Sequence, residues 1–198
     1  MAHYYTNEDT LKSDIHHFKF QYRDHLLNFK SDSGVFSKKF IDYGSQVLLD
    51  AIVINEKQRR LLDVGCGYGA MGLSLAKSYP HLEVDLVDVN LKALSLCEEN
   101  ALVNHIDKIH IYESDVYDNV KEKFDVIISN PPIRAGKSVV FRILEESYQH
   151  LNPGGELWIV IQKKQGAPSA KNKMTEVFGN CEIVKRDKGY YILLSRKQ

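Results

Sequence analysis

Two short stretches hold residues whose types and spacing can do chemistry. In Leu61-Leu62-Asp63-Val64-Gly65-Cys66-Gly67-Tyr68-Gly69-Ala70-Met71-Gly72, a short apolar run leads into glycines at alternate positions. Without Cβ atoms, Gly65, Gly67 and Gly69 can turn the chain sharply and let a ligand approach the backbone. A helix beginning there aims its first N–H groups at whatever occupies the turn. The second stretch is Ser129-Asn130-Pro131-Pro132-Ile133. Its two prolines fix the backbone and lack N–H donors, leaving carbonyls to point into a site, and Asn130 adds an amide oxygen. Acceptors of this kind suit an incoming amino group, whose N–H hydrogens they take while holding the nitrogen lone pair in line. The chemistry is positioning plus electrostatics, with no metal and no strong base.

The glycines alone leave the ligand open. Gly67-x-Gly69-x-x-Gly72 satisfies the dinucleotide pattern, and Asp88 lies where a ribose-binding acid is expected, so a nicotinamide cofactor fits this spacing too. In either case a carboxylate at Asp88 can accept from both ribose hydroxyls. Ser114-Asp115, after the next strand, offers an acid to an adenine amine, although Ser and Asp are also common turn residues.

The elements that must position these groups alternate regularly. Strands are expected at 60–64, 82–88, 108–112, 124–129 and 156–162, with helices at 69–79, 91–103 and 138–151 between them. Pro80 closes the first helix, Asn90 caps the second, and Asn152-Pro153-Gly154-Gly155 stops the third. A last helix runs from Gly166-Ala167-Pro168 to Gly179-Asn180. Strands 181–186 and 190–195 follow, and the short join Asp187-Lys188-Gly189 makes them antiparallel. Earlier, Phe18, Phe20 and Tyr22 alternate with polar residues, as do Leu27 and Phe29, which predicts a hairpin turning at Asp24-His25. Ser31-Asp32-Ser33-Gly34 reads as a turn, and a helix is expected from Ser45. The prediction is one domain over 1–198: an α/β, doubly wound, seven-stranded and mainly parallel sheet with an antiparallel C-terminal strand pair. An N-terminal β-hairpin extension (15–45) precedes the cofactor-binding core (45–198). In such a sheet a ligand sits beyond the carboxyl ends of the central strands.

Composition narrows the setting. The 198 residues are 43% hydrophobic, with no apolar run of membrane-spanning length and no apolar signal core at the start. Cys66, Cys97 and Cys181 are scattered, which favours a reduced, cytoplasmic protein over a disulfide or zinc scaffold. Formal net charge is zero, so any nucleic-acid surface must come from local segregation. Candidate clusters are Lys19, Arg23, Lys30, Lys38 and Lys39 in the hairpin region, Arg134, Lys137 and Arg142 after the proline stretch, and Lys163, Lys164, Lys171 and Lys173.

Asp63-x-Gly-x-Gly-x-Gly resembles motif I of the class I S-adenosylmethionine (SAM) methyltransferases, and Asn130-Pro131-Pro132 resembles the motif of those acting on exocyclic or amide nitrogens. Asp32-Ser33-Gly34-Val35-Phe36-Ser37 and Asp42-x-Gly44-Ser45, ahead of these, extend the similarity to the catalytic domain of small-subunit ribosomal RNA guanine-N2 methyltransferases, from about residue 15 to the end. The resemblance implies a Rossmann-like methyltransferase fold, SAM as cofactor with S-adenosylhomocysteine as product, and ribosomal RNA or the small subunit as partner. It implies cofactor binding by Asp63, Gly65, Cys66, Gly67, Asp88, Val89, Ser114 and Asp115. It also implies that Phe36, Ser37, Gly44 and Ser45 line the cofactor or base pocket. Asn130, Pro131, Pro132 and Ile133 would form the catalytic loop, with Asn130 also against the cofactor. Position 133 departs from the pattern, because an aromatic that stacks on the base usually stands there. Other acceptors (a protein glutamine, a DNA adenine, a small amine), a nicotinamide oxidoreductase and a non-catalytic RNA-binding protein remain as rivals. A monomer without metal or membrane association is expected.

Overall fold

The computed structural model describes residues 14–32 and 40–198. Phe36, Ser37 and the residues around them therefore lie outside the described residues, as do Lys38 and Lys39. The chain opens with the antiparallel pair β1 (Ile15–Tyr22) and β2 (His25–Asp32). The turn falls one residue earlier than expected, with Arg23 at φ 50. Ser31 and Asp32 are strand, not turn, since they pair with His16 and Ile15 and are buried.

Helix α1 (Tyr43–Ala51) starts two residues before Ser45. The reason is its cap: Asp42 accepts the Ser45 N–H at 2.9 Å through Oδ2. The sheet core follows as β3 (Arg60–Val64), α2 (Ala70–Ser78), β4 (Glu83–Asp88), α3 (Leu91–Val103), β5 (Ile109–Glu113), β6 (Phe124–Ser129), α4 (Lys137–His150), β7 (Leu151–Gln162), α5 (Ala167–Phe178), β8 (Glu182–Asp187) and β9 (Tyr190–Arg196). The strand order is β5-β4-β3-β6-β7-β9-β8, parallel up to β7 and antiparallel beyond it. Order reverses at β3, so the crevice between the ends of β3 and β6 is the switch point.

Asn152-Pro153-Gly154-Gly155 does not separate helix from strand as expected; it belongs to β7. Leu151 already pairs with Phe124, and a register shift absorbs the glycines before Glu156 meets Val126. Gly154 N–H donates to Lys197 O and Gly155 O accepts from Lys197 N–H, so the bulged segment is held by the chain end instead of being a free turn.

Apolar layers cover both faces of the sheet. One joins α1, α2, α3 and the hairpin, the other α4 and α5. Trp158 is buried in the first layer, as expected for a core residue. Helix α3 also holds the open edge of β2. Asn100 exchanges two hydrogen bonds with the backbone of Lys30, and Asn104 does the same with Asn28. No helix among the described residues is long and apolar enough to cross a membrane.

Candidate active site

The glycine turn is pinned from the neighbouring strand. Gly65 and Cys66 N–H groups both donate to Val87 O at 2.9 Å, and Gly67 N–H donates to Asp88 Oδ2 at 2.8 Å. Gly65 has φ +73, and a Cβ there would meet nothing within 4 Å except Pro132 Cδ at 4.0 Å. The bend and the proline loop therefore face each other across a narrow gap. Ser129 Oγ donates to Val64 O at 2.7 Å and locks the two strand ends together. Gly72 has a different task. A Cβ there would come within 2.7 Å of Leu86 and 3.0 Å of Asp63 Oδ2, so its absence lets α2 close on the sheet.

Asp63 is fully buried beneath this turn. Its Oδ2 accepts the Gly72 N–H at 2.8 Å, while among the described residues Oδ1 has no partner. Burial pushes its carboxyl up to about 7; the Gly72 N–H works against that rise and the nearby Asp88 adds to it. An unsatisfied buried carboxylate oxygen is costly alone and is completed by a cationic or N–H-bearing ligand. Asp88, also buried, uses Oδ1 for the Asn90 N–H and Oδ2 for the Gly67 N–H. A carboxylate oxygen can accept more than one donor, so these bonds do not by themselves bar a hydroxyl. Val89, half-buried, follows directly. Burial and the adjacent Cys97 push the Cys66 thiol up, which leaves it a packing group of the turn.

The second acidic position is built differently from the expectation. Ser114 Oγ donates to Val116 O and accepts from Asn119 N–H, so it shapes its own loop. Val116 sits at φ +56, a conformation that costs a β-branched residue about 1–3 kcal/mol and is kept at functional loops. Asp115 stays beside this loop but is paired with Arg142 at 3.2 Å. Arg142 also holds Asp118 and Glu146, so it is a structural tie and not a phosphate contact.

Asn130 is the centre of the proline loop. Its Nδ2 donates to Asp42 Oδ2 at 2.6 Å and to Ser45 Oγ at 3.0 Å. A carboxylate can only accept, so this contact fixes which way the amide faces. Oδ1 is turned away from the brace, and among the described residues no donor reaches it. Of the two proline carbonyls, that of Pro132 accepts the Ala135 N–H at 2.9 Å, while among the described residues no donor is seen on that of Pro131. Ile133 begins a short 3-10 turn and packs half-buried against the α4–α5 layer. Gly44 is buried beneath Tyr190, with no room for a Cβ, and Ser45 completes the brace. The glycine turn, Asp88, the proline loop, Gly44 and Ser45 are thus brought together. Ser114 and Asp115 are tied within their own loop and to Arg142, Ile133 packs against the α4–α5 layer, and Phe36 and Ser37 lie outside the described residues. Asp42 is the member that the sequence reading placed in a motif without a role. Among the described residues no group of three or more His, Cys, Asp or Glu could hold a metal ion.

Comparison with known proteins gives consistent results. A family model described as methyltransferase small domain matches residues 26–194. The chain is 48% identical over 197 residues to an uncharacterized protein of Bacillus subtilis (strain 168), covering 98% of each. It is 30% identical over 180 residues to the ribosomal RNA small subunit methyltransferase C of Vibrio cholerae, covering 89% of this chain and 51% of that protein. Among solved structures, a T. thermophilus 16S rRNA N2 methyltransferase in complex with AdoMet and guanosine superposes with a TM-score of 0.82 at 26% identity, covering 93% of this chain and 51% of that one. The chain thus spans about half the length of these named methyltransferases.

Proposed function

The chain is a member of the methyltransferase small domain family, and from that premise we propose that it transfers the methyl of SAM to the exocyclic N2 amine of a guanine in small-subunit ribosomal RNA. The observation that carries this reading is the braced amide: Asp42 turns Asn130 so that its oxygen, with the Pro131 carbonyl, is left for an amine opposite the glycine turn. The named relatives act on ribosomal RNA, and one was solved with guanosine. A nicotinamide reading gives the braced amide no task.

The residues fit the cofactor. Asp63 Oδ1 is a buried acceptor without a donor among the described residues, and Gly65 leaves open space where a side chain would stand. Asp63, Gly65, Cys66, Gly67, Asp88 and Val89 would hold SAM, with the Ser114-Asp115 loop at the adenine. When bound, SAM supplies an electrophilic methyl on a sulfonium. Asn130 Oδ1 and Pro131 O accept the N–H hydrogens of the amine, favour a pyramidal nitrogen and orient its lone pair. A base within structured RNA must be splayed out to reach these groups.

Mass mapping of ribosomal RNA from cells lacking the protein tests the proposal. The expected result is loss of one N2-methylguanosine from the small-subunit RNA, restored by the intact gene. An unchanged map, with methyl label from SAM appearing in protein instead, overturns it.

Asp63 adds a pH signature. With its carboxyl near 7 in the free protein, binding a cation beside it favours the ionised form and releases a proton. SAM affinity should therefore weaken as pH falls from about 7 to 5.5, by up to about tenfold per unit. Calorimetry at a series of pH values reads this, and Asp63→Asn should flatten the profile. The same shift contributes to the pH dependence of apo stability. A raised carboxyl binds its proton more tightly in the native state, so this group's share of the stability falls as pH rises from about 4 to about 7.

A further inference from the structure

The reading above gives the target base a site but leaves the rest of the strand unplaced, and two of the cations expected to hold it are engaged in ion pairs. Lys30 pairs with Glu99, and Arg142 holds three carboxylates. A different set stands beside the segment that braces Asn130. Tyr43 directly follows Asp42, and its ring lies 5.8 Å from that of Tyr190. Lys188 Nζ sits 4.6 Å over the Tyr43 ring. An ammonium held by a ring quadrupole keeps its full charge, unlike one neutralised by a carboxylate.

Chain geometry ties these groups to the catalytic loop. Tyr190 covers Gly44, in the same turn as the Asp42–Asn130 brace. The β8–β9 turn is two residues, Lys188 at φ 43 and Gly189 at φ 82, a form that favours Asn at its first position. Gly189 O accepts the Lys163 N–H at 2.8 Å, which brings the exposed Lys163 and Lys164 alongside. Lys163, Lys164 and Lys188 make no ion pair among the described residues.

We propose that Lys188, Lys163 and Lys164, with the Tyr43–Tyr190 ring pair, form the surface that takes the single-stranded RNA next to the target nucleotide. This rests on the RNA methyltransferase reading and names the part of the chain that grips the strand. The lysines meet phosphates, and the two tyrosine rings, tilted 56° to each other, offer aromatic surface to a neighbouring base. Flat rings beside unneutralised cations suit a splayed single strand better than a duplex, whose bases are stacked inside. A chain of zero formal net charge can hold a polyanion this way where cations without carboxylate partners stand together.

The test is fluorescence anisotropy with a labelled single-stranded RNA of about 15 nucleotides, at several salt concentrations. In Lys163→Gln/Lys164→Gln/Lys188→Gln, affinity should fall about twentyfold and the log–log salt slope should drop by about 2. SAM affinity by calorimetry should not change. Tyr43→Leu should weaken RNA binding, and Tyr43→Phe should restore it. A control removes the same charge at the amino ends of the strands, with Lys57→Gln/Lys121→Gln/Lys123→Gln, and should bind RNA as the unaltered protein does. Wild-type affinity and slope in the first triple variant, or equal losses in both triples, overturns the surface. If methyl label still enters ribosomal RNA, only this surface falls. If the unaltered protein neither binds nor labels RNA, the proposed function falls with it.

Discussion

Asn130→Ala should lose about a thousandfold in turnover while binding SAM within about twofold of the unaltered protein. The expected size follows from what the side chain does. It is the one acceptor of the loop whose direction is fixed from behind, by Asp42 at 2.6 Å and Ser45 at 3.0 Å. Truncation removes the oxygen that takes an amine hydrogen and leaves the Pro131 carbonyl as the remaining acceptor. Asn130→Asp should do no better despite its shape, because it sets a carboxylate against the Asp42 carboxylate. Single-turnover methylation paired with calorimetric SAM binding reads both halves. Unimpaired turnover in the alanine variant would remove the amine-positioning role altogether.

Asp42→Ala should cost about a hundredfold in turnover, through misorientation of an amide that is itself intact. The carboxylate does two jobs with one oxygen: it caps α1 by accepting from Ser45, and it fixes the Asn130 amide. Loss of the cap should also lower stability by about 1 kcal/mol, seen as a reduced melting temperature. Asp42→Asn separates the two effects, since a carboxamide oxygen can accept from the same donors. It should recover most of the turnover, with KM for SAM unchanged in both variants. An Asn variant as damaged as the Ala variant would mean that position 42 supplies charge and not an acceptor.

Much of the architecture was legible because local signals agreed with the global arrangement. β3, α3 and β6 fall on their expected bounds, where strand-like apolar runs, the Asn90 cap and the glycine turn all point the same way. The misses share a cause, which is that tertiary partners decided them. Asn152-Pro153-Gly154-Gly155 carries every residue type of a stop signal, yet Lys197 recruits its backbone into β7. Arg142 follows the proline stretch closely enough to suggest a phosphate contact, but two carboxylates from the loop after β5 and one from its own helix claim it. Asp42 could be read as part of a motif, but not as the partner of a residue 88 positions later. At the glycine turn the sequence specified the glycines and left their separate duties open: Gly65 clears space and Gly72 lets a helix settle.

The two asparagines one turn apart on α3 have a consequence for the life of the protein in a crowded solution. Each presents a carboxamide with the same donor and acceptor as a peptide group, so the helix answers β2 as a third strand would. Asn100 also donates to Tyr68 O, inside the glycine turn. A foreign strand seeking to zip onto the hairpin would have to displace both amides and disturb the turn as well, so the feature that docks the hairpin also guards it against aggregation.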